Sequence, residues 1–143
     1  MVVEEFKNRY EVFGRDFSNA GRISTAIKEI LKGLGVQAAI VRRIAIASYE
    51  AEMNVVMYAA RGNIDLVVSS KAITVEVDDE GPGIADIELA MQEGYSTATP
   101  EMREMGFGAG MGLPNIKRNA DEFVVTSEVG RGTRLRIRVT LPA

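Results

Sequence analysis

Residues Thr133–Leu141 alternate without a break: Leu135, Ile137, Val139 and Leu141 are apolar, and Arg134, Arg136, Arg138 and Thr140 between them are polar. A period of two puts the two sets on opposite faces of a strand, so one face is buried and the other meets water. Ala72–Asp79 repeats the pattern, with Ile73, Val75 and Val77 set against Thr74, Glu76 and Asp78. Two such strands call for a sheet covered on one face. Ile64–Ser70 and Phe123–Glu128 are predicted as their hairpin partners, because the Ser-Lys and Gly-Arg-Gly connections are short enough for antiparallel turns. A first strand is expected within Val3–Phe13.

The cover must come from helices. Gly21–Leu34 and Val36–Arg61 read as helical, the first stopped by Gly33 and Gly35 and the second by Gly62. Ile84–Gln92 and Leu113–Ala120 are expected as shorter helices, the latter accepting Pro114 because proline fits a first turn. Helices over one face of a sheet make a two-layer α/β (α+β) sandwich. The 143 residues suit a single domain over 1–143, a size at which roughly 68–70% of the unfolded surface can be buried. We find no internal repeat, low-complexity tract or interdomain linker.

Composition narrows the chemistry. With 17 basic and 20 acidic residues, a net charge of −3 and a pI near 5.1, the overall basic bias of a nucleic-acid binder is missing, although a local basic patch stays open. No apolar run approaches the ~20 residues that cross a bilayer. The start MVVEEFKNRY lacks the layout of a signal peptide, so a cytoplasmic protein without a membrane or nucleic-acid partner is expected. Zero cysteines exclude disulfides and thiolate chemistry, and zero histidines remove the commonest general base and metal ligand. Carboxylates, amides, hydroxyls, backbone and cations must carry any reaction.

Three stretches could. In GFGAGMGLPNIKR, Gly106, Gly108, Gly110 and Gly112 occupy every second position and run into a predicted helix. Such a loop can aim backbone N–H groups at a phosphate chain from the positive end of the helix, or serve simply as a flexible cap. The polar stretch STATPEMREM before it is not the strand a dinucleotide fold needs, and there is no GK[ST] of a P-loop. At the end of the Ala72 strand, Asp79, Gly81 and Gly83 form D-x-G-x-G. A carboxylate there could accept the amino group of adenine, which guanine lacks at that position, and a tight turn would equally use the glycines. In SYEAEMNVVMYAARG, Glu50 and Asn54 lie four apart and share a helix face. Asn54 offers the hard oxygen that magnesium accepts, and Glu50 could take a proton from a hydroxyl or water, although the pair also suits an ordinary helix surface. Glu52 points elsewhere and is expected to be solvated.

The ordered set Glu50-x-x-x-Asn54, Asp79-x-Gly81-x-Gly83, a polar loop, Gly106-x-Gly108-x-Gly110-x-Gly112 and Gly132-Thr133 resembles the N, G1, G2 and G3 boxes of the GHKL ATP-binding superfamily. The resemblance runs from Val36 to the C-terminus and, with the first helix and strand, over nearly the whole chain. It implies the Bergerat or histidine-kinase-like ATPase fold, with a mixed, mostly antiparallel sheet and helices on one face. Gyrase-type, chaperone and mismatch-repair members are larger machines with a transducer domain. A complete sensor histidine kinase needs a phosphoacceptor histidine, although a detached catalytic domain would fit. EGYSTATPEMREMGFGAGMGLPNIKRNADEF looks closest to the bacterial anti-sigma serine/threonine kinases and the related switch kinases of partner-switching modules. GAGMGLPNIKR, ADEF and Tyr58 resemble the switch kinases, and TATPEMREMGFG the fuller lid of the anti-sigma kinases.

The resemblance implies ATP and Mg²⁺ as cofactors and a serine/threonine protein kinase as the activity. Asp79 would recognise adenine with Thr133, directly or through water, Gly81, Gly83 and Ile84 would border the base, and Asn54 would hold the metal. The backbone of Gly106, Gly108, Ala109, Gly110, Met111, Gly112 and Leu113 would cradle the phosphates. Glu50 would orient or deprotonate the attacking hydroxyl, in chemistry that rests on positioning and charge neutralisation. A lid over Ser96–Met105 would close on the nucleotide, with Arg103 either reaching the γ-phosphate or solvated. The implied partners are a STAS-domain antagonist or scaffold, a sigma factor or a phosphatase, and a second copy in a homodimer. A nucleotide-gated binding module with little catalysis and a stand-alone histidine kinase catalytic domain are the alternatives. Arg134, Arg136 and Arg138 are expected as a cationic, solvated sheet face, open to an acidic partner. Lys117 and Arg118 read as surface charges, and Met91, Met102, Met105 and Met111 as lid-side or core filling.

Overall fold

A computed structural model of the chain describes residues 5–93, 100 and 112–142. Met102, Arg103, Met105 and Met111, with the rest of the expected lid except Pro100, and Gly106, Gly108, Ala109 and Gly110, lie outside the described residues. Five strands, β1 (Phe6–Phe13), β2 (Arg61–Val68), β3 (Ala72–Glu80), β4 (Glu122–Glu128) and β5 (Gly132–Thr140), form one sheet in the order β1-β2-β3-β5-β4. Every neighbouring pair is antiparallel. The helices are α1 (Arg22–Gly33), α2 (Ala38–Tyr58), the single turn α3 (Ile87–Ala90) and α4 (Gly112–Asn119). A short 3-10 turn, Phe17–Asn19, precedes α1.

The two-layer sandwich follows from the alternation. Ile64 and Leu66 of β2, Ile73, Val75 and Val77 of β3, and Leu135, Ile137 and Val139 of β5 share one apolar cluster with Ile23, Ile27 and Leu31 of α1, Ile40 and Ile44 of α2, and Leu113 and Ile116 of α4. On the opposite face each charge meets its opposite across the ladder. Arg134 reaches Asp78 at 2.9 Å, Arg136 reaches Glu76 at 3.7 Å and Arg138 reaches Glu122 at 3.4 Å. The predicted cationic edge is therefore a compensated, solvated sheet face, because the antiparallel register brings acids of β3 and β4 beside the arginines of β5.

Two boundaries move from their expected places. Helix α2 ends at Tyr58, and the chain is already paired as β2 at Arg61, so Gly62 sits in a strand opposite Asp79 rather than ending a helix. A Cβ at residue 62 would lie 2.9 Å from the Asp78 carbonyl oxygen and 3.2 Å from Val55 Cγ1, so this inward-facing position accepts only a bare backbone. The helix expected over Ile84–Gln92 shrinks to Ile87–Ala90, because Asp86 caps it, its Oδ1 accepting the Leu89 N–H at 3.0 Å.

Candidate nucleotide and phosphoryl-transfer site

Asp79 ends the inward-facing row of β3 and is half-buried. Its Oδ1 accepts the Thr133 N–H at 3.1 Å. Burial raises its pKa above the ordinary 3.8, the Thr133 bond opposes that rise, and neighbouring Asp78 adds to it. Backbone crowds this carboxylate. A Cβ on Gly132 would lie 1.9 Å from the Asp79 carbonyl oxygen, and one on Gly81 would lie 3.0 Å from Asp79 Oδ1 and 3.2 Å from Ala59 Cα.

The D-x-G-x-G loop is laced to the β4–β5 hairpin. Gly83 has φ +77°, and a Cβ there would come 2.4 Å from the Glu128 carbonyl oxygen, so the hairpin itself demands glycine at this position. The Gly130 N–H donates to the Pro82 carbonyl at 2.8 Å, and the Ile84 N–H donates to Ser127 Oγ at 2.7 Å. Ser127 in turn donates to the Gly132 carbonyl at 3.0 Å and lies 2.9 Å from Thr133 Oγ1. With its own hydrogen committed to Gly132, Ser127 satisfies all its contacts when Thr133 O–H donates to it, which leaves the Thr133 lone pairs as acceptors. Ser127 carries no motif, but it stands opposite Thr133 in the register and continues the inward alternation of Phe123 and Val125, a signal that the sequence offered.

Glu50 and Asn54 project from α2 toward the first residue of α4. A Cβ on Gly112 would lie 3.3 Å from Asn54 Oδ1 and 3.5 Å from Glu50 Oε2. The positive end of this helix therefore lies beside the pair. Glu50 is half-buried, and burial raises its pKa against the opposing hydrogen bond from the Asn115 side chain. Asn115 Oδ1 accepts Arg118 Nη1–H at 3.2 Å, and Arg118 also pairs with Glu93. Arg118 is exposed, as expected of a surface charge, and makes these pairs at the surface. At the other end of α4, Arg43 of α2 donates to the Asn119 carbonyl at 3.1 Å and to Asp121 at 2.8 Å, so α2 grips α4 at both ends.

Glu52 corrects the reading of it as solvated. It is 2% exposed, and its carboxylate accepts N–H groups from Gly21 at 3.0 Å, Ser24 at 2.9 Å and Ile23 at 3.3 Å. These are orphan donors at the start of α1, and a carboxylate satisfies them while complementing the positive end of that helix.

Two groups result. Asp79, Gly81, Gly83, Ile84 and Thr133 gather at the β3 end with Ser127, and Glu50, Asn54, Gly112 and Leu113 gather where α2 meets α4. Gly62 lies in β2 between Val55 and Asp79. A groove of about 710 Å³ is lined by Asp79, Ser127 and Thr133 of the first group together with Asn63, Asp78 and Arg134 of the outer sheet face, and it includes neither Glu50 nor Asn54. Among the described residues no group of three or more Asp and Glu side chains could cage a metal ion, and none of the helices is long and apolar enough to cross a membrane.

Residues 47–143 match the family described as histidine kinase-, DNA gyrase B-, and HSP90-like ATPase. The serine/threonine-protein kinase RsbT of Bacillus subtilis is 34% identical over 113 residues, covering 76% of this chain and 79% of that protein. An anti-sigma F factor of Thermoanaerobacter sp. is 33% identical over 133 residues, covering 92% of this chain and 85% of that protein. Among solved structures, a chain of the SiaB–SiaC complex from Pseudomonas aeruginosa superimposes with a TM-score of 0.62 at 12% identity, over 92% of this chain and 88% of that one. That likeness concerns the fold.

Proposed function

Because this chain belongs to the histidine kinase-, DNA gyrase B- and HSP90-like ATPase family, we propose that it is an ATP-dependent serine/threonine protein kinase of a bacterial partner-switching module. One observation carries the reading: Glu50 and Asn54 stand together against the first residue of α4, where a Cβ on Gly112 would lie 3.3 Å from Asn54 Oδ1 and 3.5 Å from Glu50 Oε2. Mere nucleotide binding requires no half-buried carboxylate at that point.

The residues divide the work. Asp79 accepts the adenine amino group, and Thr133 offers a second acceptor to the base or to an intervening water. The N–H groups at the start of α4 receive phosphate oxygens. Mg²⁺ fits this donor set, since it is commonly held by substrate phosphates and one or two protein oxygens, and Asn54 Oδ1 would supply one; bound there it would neutralise phosphate charge. Glu50 orients the attacking hydroxyl and takes its proton, and burial, which makes the carboxylate a stronger base, suits it to that role.

The similarity to the serine/threonine-protein kinase RsbT supports the protein-kinase reading, and the phosphorylated partner we propose is a STAS-domain antagonist or scaffold in the cytoplasm. The similarity to an anti-sigma F factor over 92% of the chain favours a second role, nucleotide-dependent holding of a sigma factor. Incubation with Mg·ATP and a STAS-domain protein from the same cell, followed by phosphoamino-acid analysis, tests the kinase reading. Acid-stable phosphoserine or phosphothreonine is expected. An acid-labile phosphohistidine would overturn it.

A further inference from the structure

We propose that Ser127 sets the base selectivity of the site as a positioning residue for Thr133: it holds the Thr133 hydroxyl hydrogen, so that Thr133 meets the base as an acceptor only. The proposal rests on the reading of Asp79 and Thr133 as the adenine-binding pair. Ser127 lies on the inward row of β4, directly across from Thr133 in the β4–β5 register. Its side chain, Thr133 and Asp79 line one groove.

Two of its three partners are backbone groups with no choice of role. The Ile84 N–H, 2.7 Å from Ser127 Oγ, only donates, and the Gly132 carbonyl, 3.0 Å away, only accepts. The single Ser127 hydrogen therefore goes to Gly132. Thr133 Oγ1, at 2.9 Å, makes the third hydrogen bond by donating to the lone pair that remains on Ser127. The reverse assignment would leave Ser127 Oγ and the Gly132 carbonyl facing each other with no hydrogen between them. Nor does the backbone turn freely to relieve it, since β4 and β5 pair from Glu122 to Glu128 and the Gly130 N–H ties their hairpin to Pro82 at 2.8 Å.

Asp79 alone does not decide the base. Its Oδ1 takes the Thr133 N–H at 3.1 Å, and an ionised carboxylate only accepts. It suits the amino group of adenine, but it would also accept the ring N–H of an oxopurine such as hypoxanthine. The decision then falls on Thr133. A lone pair there suits an amino hydrogen and opposes an oxo oxygen, whereas a free hydroxyl hydrogen would bond the oxo group. A water held between Asp79 and Thr133 carries the same polarity to the base, because each of them takes one of its hydrogens.

The test is the ratio of affinities for ATP and inosine triphosphate, whose base has an oxo group in place of the amino group, measured by titration calorimetry with Mg²⁺. Wild type is expected to favour ATP. Ser127→Ala loosens the loop and weakens both nucleotides, but it also frees the Thr133 hydroxyl, so the preference should fall roughly 3- to 10-fold, the worth of about one hydrogen bond. A merely structural role would lower both affinities alike and leave the ratio in place. Ser127→Thr, which keeps the oxygen, should keep the wild-type ratio. In a Thr133→Val background there is no hydroxyl to release, and Ser127→Ala should then leave the ratio unchanged within about twofold. Ser127→Cys, whose sulfur accepts weakly, carries the same expectation as Ser127→Ala and replaces it if the alanine variant does not fold. A preference that survives the loss of the Ser127 oxygen, or that falls equally in the Thr133→Val background, would overturn the proposal while leaving the adenine site standing. Wild type that binds the two nucleotides equally, or binds neither, would overturn the adenine site and the proposal with it, so the two failures are told apart.

Discussion

The first residue of α4 and the second polar residue of the Glu50 face nearly touch: a Cβ on Gly112 would lie 3.3 Å from Asn54 Oδ1. That gap is tight but closed only by the flexible ends of two side chains. Gly112→Ala should therefore fold, and its helical position should even favour alanine by up to about 1 kcal/mol. The displaced Asn54 should lower phosphoryl transfer roughly 10- to 100-fold. Thermal melting and single-turnover transfer on one preparation check both halves, and equal falls in stability and rate would contradict the account.

Asp79 should show the opposite cost of function. Its pKa is raised first by burial, so the folded state holds the proton more tightly than the unfolded chain does. Stability therefore falls as pH rises from the ordinary 3.8 through the raised folded value, and stays at the lower level above it. Asp79→Asn removes that penalty and keeps an oxygen for the Thr133 N–H. The nucleotide-free variant should melt at or above the wild-type temperature at neutral pH, while ATP affinity falls roughly 10- to 100-fold through loss of a charged acceptor. Differential scanning calorimetry with nucleotide titration measures the pair of effects.

Ser127 joins three segments through one oxygen, at 2.7 Å from Ile84 N, 3.0 Å from the Gly132 carbonyl and 2.9 Å from Thr133 Oγ1. Ser127→Ala leaves the Ile84 N–H unpaired and frees Thr133. A loss of about 1–3 kcal/mol in urea unfolding is expected, together with weaker ATP binding. Unchanged affinity would show that the loop does not depend on this tie.

Glu52 should matter to folding and not to transfer. Glu52→Ala strands three N–H groups at the start of α1 and should cost about 2–4 kcal/mol. Glu52→Gln, which keeps a carbonyl acceptor, should cost less. Urea midpoints with a constant slope measure this, and the folded fraction of either variant should transfer phosphate at the wild-type rate.

What the sequence made legible were features of short period. Leu135, Ile137 and Val139 announce β5 because side chains alternate, and Glu50 and Asn54 announce a shared face because a helix returns after four residues. Leu113–Ala120 was read within one residue of α4, since Pro114 marks a first turn. What stayed hidden depends on contacts distant in the chain. Glu52 follows Glu50 by two positions, which tells only that it faces away; its burial follows from the start of α1 packing there. Gly62 reads as a helix stop until the register sets it opposite Asp79. Ser127 carries no motif, and its role arises from a hydrogen bond to Ile84, 43 positions away in the chain.

Intact-mass measurement of a STAS-domain protein from the same cell, incubated with Mg·ATP and either wild-type protein or Glu50→Ala, bears most directly on the kinase reading. It should gain one phosphoryl group with wild type, and with Glu50→Ala the rate should fall about 10²–10⁴-fold while ATP stays bound. Equal transfer by both proteins would contradict the role of Glu50. Absence of transfer by wild type, with ATP bound in the same samples, would contradict the kinase itself.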